Sequence, residues 1–217
     1  LITQILRLPE SRRHTFVLFI RPNAILPNEL DGYDNVIVKV IPFKYLWTQV
    51  GLAWSTWGKF SNHKFSNSQI DVLWVPAHTL PVLRNPKMKT VVTIHGLEYQ
   101  WLPEYKNWLQ RWYLPLSTIY ATKSADKLIA VSEFTKKQLV KQLHTSSKNI
   151  NVIYEGVTIH TPGVKGSRTP GVLEKHGVVA NKYILFVGTV QPRKNLTALI
   201  EAFSDFSSSS AKGAIYD

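Results

Sequence analysis

Short apolar runs, each cut off by proline, glycine or a polar residue, constrain this chain more than any other feature. Residues 16–20, 36–41, 71–75, 90–94, 127–131 and 151–154 all read as strands, with Pro42 and Pro76 stopping two of them. Between several of these runs the pattern changes to helical spacing. Trp47, Val50, Gly51, Trp54 and Trp57 fall on one helical face, and that stripe is expected to be core. An aromatic-rich helical segment is expected over 99–125. Another runs over 133–143 behind Ser132, whose hydroxyl suits a helix N-cap. Strands alternating with helices predict an α/β chain with a parallel sheet covered on both faces.

A further run, 183–187, ends at Gly188 and reads as a buried strand; Leu196, Leu199, Ile200 and Phe203 then trace a helix face. Arg193 and Lys194 stand between them. A glycine turn, two cations and the unpaired N–H groups of a helix start make an anion site beyond the carboxyl end of a strand. The texture in between is different: turn clusters rich in Pro, Gly and Thr occupy the stretch from 159. The expected organisation is a Rossmann-like domain over 1–158, a linker over 159–181, and a second domain's opening strand and helix over 182–217. The serine-rich stretch 206–210 reads as a polar tail.

Composition narrows the partners. The formal charge is +12, so anionic partners are favoured, yet Lys and Arg are scattered rather than blocked and no nucleic-acid motif accompanies them. That argues against nucleic acid. There are no cysteines, so disulfides and thiolate metal sites are excluded. No apolar run approaches the roughly 18 residues of a membrane span, and no signal-peptide pattern begins at Leu1. These features predict a cytoplasmic chain, with peripheral contact to an anionic membrane as an alternative. Trp101, Trp108 and Trp112 interleaved with Lys106 and Arg111 are the residues that would dock there, against the plainer reading that these aromatics are core.

Four stretches in order carry a family resemblance: VVTIHGL at 91–97, ADKLIAVSEFT at 125–135, NVIYEGV at 151–157, and the strand-GT-RKN-helix pattern over 183–203. Together they resemble a GT-B-fold retaining glycosyltransferase of the group-1, family-4 type. The resemblance implies two Rossmann-like domains, an acceptor side and a nucleotide-sugar side. It further implies that Arg193 and Lys194, with Gly188, bind the donor diphosphate. His95 would be the catalytic residue near the reacting sugar, and Ser132 a cap at the cleft. Gly96 follows His95 where the family often has Asp, and Glu155 stands where Asn is more frequent, with no role assigned to it.

The chemistry implied is transfer from a nucleotide-diphosphate sugar to a sugar or lipid-linked hydroxyl acceptor, with the anomeric configuration retained. No cofactor is implied beyond the donor itself. No Asp-X-Asp metal motif is present, so cations would stabilise the leaving group. The family's first strand and its late pair of glutamates are not found, so a piece of the enzyme, inactive alone, is expected. The rival readings are a sugar-nucleotide epimerase of the same fold and a non-catalytic module binding anionic lipid or polysaccharide.

Overall fold

In the computed structural model, described for residues 1–57, 60–62, 65–68, 70–97, 108–156, 175–179, 183–191 and 194–210, the chain divides into two compact units, Leu1–Glu155 and Gly156–Asp217. Only the backbone is described at 60–62, 65–68, 108–111 and 209–210.

The first unit is built on a four-stranded parallel sheet, in the order β5 (Val72–Val75), β6 (Lys89–Ile94), β7 (Lys127–Ala130) and β8 (Ile150–Val152). Its register pairs Val75 with Val92, Val92 with Leu128, and Leu128 with Ile150, so the inward side chains of all four strands lie in one row. Leu73, Val92, Ile94, Leu128 and Ala130 are buried in that core. A separate parallel pair, β1 (Phe16–Ile20) with β2 (Val36–Val40), follows a short helix α1 (Ile2–Leu6). The amide of Asn35 ties this pair to the preceding turn, donating to the carbonyls of Ser11 and His14, each at 2.9 Å. A two-stranded antiparallel hairpin, β3 (Phe60–Asn62) and β4 (Phe65–Ser68), was not anticipated by periodicity.

The strands expected at 16–20, 36–41, 71–75, 90–94, 127–131 and 151–154 are all found, to within a residue or two at their ends. The chain is thus α/β with parallel sheets, as a Rossmann-like piece of a GT-B fold would be. The β5–β6 connection contains no helix. Arg84 fastens it instead, donating to the Pro81 carbonyl at 3.0 Å, to the Tyr120 hydroxyl at 2.8 Å and to the Ser124 carbonyl at 2.8 Å. That fork clamps the crossover onto α3 (Trp108–Ser124).

Four expectations about faces and ends are corrected. The stripe over 47–57 is core only in part: Trp47 packs against the core and Gly51 is buried, while Val50, Trp54 and Trp57 face solvent and Leu52, Ala53 and Thr56 are buried instead. The segment opens as a π-helical turn, Trp47–Leu52, before α2 (Ala53–Trp57), and the wider turn shifts later residues off the predicted stripe. Gly51 is needed where this turn meets the end of β2, since a Cβ there would come 2.5 Å from Ile41 Cγ2.

The aromatic core expected over 99–125 is not met at Trp112 and Tyr113, though Tyr120 does pack against the core. Trp112 is exposed, and the buried face is Ser117, Thr118, Ala121 and Thr122. Small residues let the helix lie close on the sheet. Their hydroxyls bond back along it, Thr118 Oγ1 to the Leu114 carbonyl at 2.8 Å and Thr122 Oγ1 to the Ile119 carbonyl at 2.9 Å. Trp101 and Lys106 lie outside the described residues, as do the side chains of Trp108 and Arg111.

In the second unit, residues 183–187 make no strand pairing and their side chains are exposed, so the buried strand expected there is not formed. A strand exists by bonding its backbone to a neighbour, and the described residues of this unit supply no second strand. The helix that follows, α5 (Leu196–Ser210), is present and absorbs the serine run expected to be a tail. Serine is only a middling helix former, but the amphipathic run ahead of it carries the helix through.

Candidate functional site

The carboxyl ends of parallel strands converge on one edge of the sheet, and the chain places polar side chains at each of these ends in the first unit. Beyond β5 come Pro76 and His78, beyond β6 His95, beyond β7 Ser132, and beyond β8 Glu155. The strand ends are drawn together by bonds that extend the ladders. Val131 N–H donates to the Ile94 carbonyl at 3.4 Å, and Ile153 N–H to the Ala130 carbonyl at 3.0 Å.

His95 is the hub. Its Nδ1 lies 3.0 Å from Glu155 Oε1, and its Nε2 lies 3.1 Å from the Pro76 carbonyl. Both neighbours are acceptors. A neutral imidazole carries one N–H and can serve one of them at a time, whereas the imidazolium donates to both. The ring of His78 meets that of His95 edge to face, with centroids 5.7 Å apart. His95 is therefore oriented from β5 and β8 at once, while 44% of its side chain stays open to solvent.

Ser132 plays the part its position suggests. It precedes α4 (Glu133–Leu143) in extended conformation, and its Oγ accepts from the Thr135 N–H at 3.1 Å. Ser132 Oγ and Thr135 Oγ1 are also 3.0 Å apart, and Thr135 Oγ1 donates to the His95 carbonyl at 3.4 Å. The cap thus ties the start of α4 to the backbone of the histidine. Leu139, fully buried on the sheet, holds the helix in that position.

Lys194 and Gly188 belong to the second unit, and Arg193 lies outside the described residues. Lys194 is exposed, and its N–H closes a turn on the Gln191 carbonyl at 2.9 Å, just ahead of α5. Asn195 enters the helix with φ +47, a left-handed conformation that asparagine tolerates. The helix start expected beside the cations is there; the strand leading to it is not. Gly188 lies against Phe186, where a Cβ would come within 3.0 Å of the ring.

Sequence reasoning picked His95 and Ser132 but gave no role to Glu155, His78 or Thr135. The available signal was position: each closely follows the carboxyl end of a parallel strand, or the cap beside one. Among the described residues there is no group of three or more His, Cys, Asp or Glu side chains that could hold a metal ion.

Residues 2–161, most of the chain and nearly all of the unit carrying this site, match the family described as Glycosyltransferase Family 4. The chain belongs to glycosyltransferase family 4. A relative of this family-4 chain, an Escherichia coli protein described as O-antigen chain mannosyltransferase B, is 24% identical over 116 residues. That match covers 53% of this chain and 30% of the relative, so it spans less than a third of that protein's length. Among the described residues, no helix of the family-4 chain is long and apolar enough to cross a membrane.

Proposed function

We propose that this chain carries the acceptor-side part of a retaining glycosyltransferase that moves a sugar from a nucleotide-diphosphate donor to a hydroxyl acceptor. The observation that carries the reading is His95, fixed at the carboxyl end of β6 by Glu155 and the Pro76 carbonyl. Ligands of open α/β sheets bind beyond these strand ends, and a ring held from two sides is placed to touch a sugar without losing its orientation. Family membership and the mannosyltransferase relative support sugar transfer in general. Retention of configuration and the nucleotide-sugar donor are inferred from the sequence motifs.

In this mechanism His95 positions the transferred sugar. Arg193 and Lys194, with the N-terminus of α5, stabilise the negative charge that grows on the leaving diphosphate, in place of a divalent ion. The leaving phosphate accepts the proton of the attacking hydroxyl. Glu155 keeps the imidazole turned toward the substrate, and Ser132 and Thr135 steady the backbone that carries it.

The test is a titration of the purified chain with nucleotide-diphosphate sugars and with simple alkyl glycosides, following the His95 ring resonances by NMR. Those resonances are assigned by their loss in His95→Gln. A shift on adding donor or acceptor is the expected result, with no sugar transfer required of the chain by itself. Indifference of the ring to every donor and acceptor refutes the assignment.

A further inference from the structure

Each nitrogen of His95 is directed at an acceptor of the protein itself, Nδ1 at Glu155 Oε1 and Nε2 at the Pro76 carbonyl. An imidazole has no third nitrogen. Held in this way, the ring offers a sugar its face and its C–H edges, and a hydrogen bond has to come from a neighbour. The neighbour with capacity to spare is Glu155. Its Oε1 is used on the ring, whereas Oε2 has no hydrogen-bond partner among the described residues, and 69% of the side chain is open to solvent. A carboxylate oxygen accepts and never donates, so this atom suits a hydroxyl.

The charge at this edge of the four-stranded sheet runs against that of the whole chain, which is +12. The residues that follow β5, β6, β7 and β8, at 76–79, 95–97, 131–134 and 153–156, include Glu133 and Glu155 and neither lysine nor arginine. Lys136 and Lys137 come a turn further along α4. If His95 is an imidazolium it balances Glu155; if neutral, it leaves the carboxylate uncompensated. In neither state does the pair present net positive charge to a ligand.

We infer that Glu155 sets the charge class of the sugar held beside His95: Oε2 accepts from the hydroxyls of a neutral sugar, and a uronic acid is turned away. This rests on the proposed reading of His95 as the residue that touches the sugar, and adds which sugars the site admits. A pyranose is small. Whichever hydroxyl meets Glu155, the carboxylate of a uronide stays within the screening length of about 8 Å at physiological salt, so the two like charges repel. Discrimination therefore comes from a repulsive element as well as from the bond made to the favoured ligand. Glu155 is in this sense a specificity-determining residue, beyond its part in orienting the imidazole.

The test follows the His95 ring resonances of the 217-residue chain at pH 7 and low salt, with sugars added in matched pairs. The pairs are the methyl glycosides of glucose, galactose and mannose, each against its uronic acid counterpart, and uridine diphosphate glucose against uridine diphosphate glucuronate. For any pair whose neutral member shifts the ring, the uronic acid should bind about tenfold more weakly, and the gap should narrow as salt is added. Glu155→Gln keeps the shape of the side chain and removes its charge. In that variant the two members should bind within about twofold of each other, while the urea midpoint stays near that of the wild type because Glu155 is exposed. A uronic acid that binds as tightly as its neutral partner, or a gap that survives in Glu155→Gln, overturns this inference and leaves the reading of His95 standing. A ring that responds to no sugar of either class removes that reading, and this inference with it.

Discussion

Replacing Asp126 by Asn probes the end of the sheet opposite His95. The Asp126 carboxylate accepts from Lys89 Nζ at 3.1 Å, and from both the N–H and the hydroxyl of Thr90 at 2.9 Å. Its own N–H donates back to Thr90 Oγ1 at 3.1 Å. Thr90 is fully buried, so these bonds pin the start of β6 to the start of β7. Burial acts to raise the carboxyl pKa. The bonds from Lys89 and Thr90 and the charge of Lys89 outweigh it, and the net position is below the ordinary value of 3.8.

Asparagine keeps one acceptor oxygen and turns an amide toward Lys89. Lys89 is largely exposed, so its ion pair contributes at most about 1 kcal/mol. The two Thr90 bonds lose their charge assistance, about 0.5 kcal/mol each after allowance for the partial exposure of Asp126. The expected loss at neutral pH is therefore about 1.5 kcal/mol. A depressed folded pKa means that this stability is present above the unfolded value and disappears as pH falls through the folded one. The gap between wild type and variant should accordingly be full at pH 7 and close in acid, where Asp126 takes up a proton. Urea unfolding followed by tryptophan fluorescence measures it cleanly, because all seven tryptophans lie in the first unit. A gap that is absent at neutral pH, or that persists undiminished to the lowest pH at which wild type stays folded, refutes the reasoning.

Other perturbations test other joints. Gly51→Ala should cost about 1–3 kcal/mol in the same urea assay, because the added methyl meets Ile41 in a packed contact; a neutral outcome would show that the π-helical turn gives way. Leu139→Ala should cost about 2–5 kcal/mol and loosen the Ser132 cap, seen as faster hydrogen exchange at the Thr135 amide. Glu155→Ala removes one of the two groups orienting His95. Binding of the ligand that shifts the His95 resonances should weaken about tenfold, as for the loss of a charged hydrogen bond. The urea midpoint should barely move, because both side chains are substantially exposed. A large stability loss without a binding effect would assign that pair a purely structural role.

Strands were legible because their information is local. An apolar run such as 127–131, stopped by a polar cap, can bury itself in few ways, and Ser132 ahead of an amphipathic stretch specifies a helix start. Faces were less legible. In α3 the residues against the sheet are Ser117, Thr118, Ala121 and Thr122, which a hydrophobicity pattern ranks below the exposed Trp112. Close approach selected for small size there, and internal hydroxyl bonds removed the cost of burial. The run at 183–187 shows the converse: a strand-like sequence remains unpaired where the described residues of its unit offer no neighbouring strand.

The sequence by itself determined the α/β class, the positions along the chain of the parallel strands in the first unit and the presence of a histidine beyond β6, since each follows from residue type and spacing within a short window. Tertiary structure alone decided that Glu155, sixty residues from His95, would meet it at 3.0 Å. It also decided that Trp54 and Trp57 would face water. Both outcomes depend on register and helix rotation, which are fixed only when distant segments pack together, because a parallel sheet aligns the ends of strands that the chain itself keeps far apart.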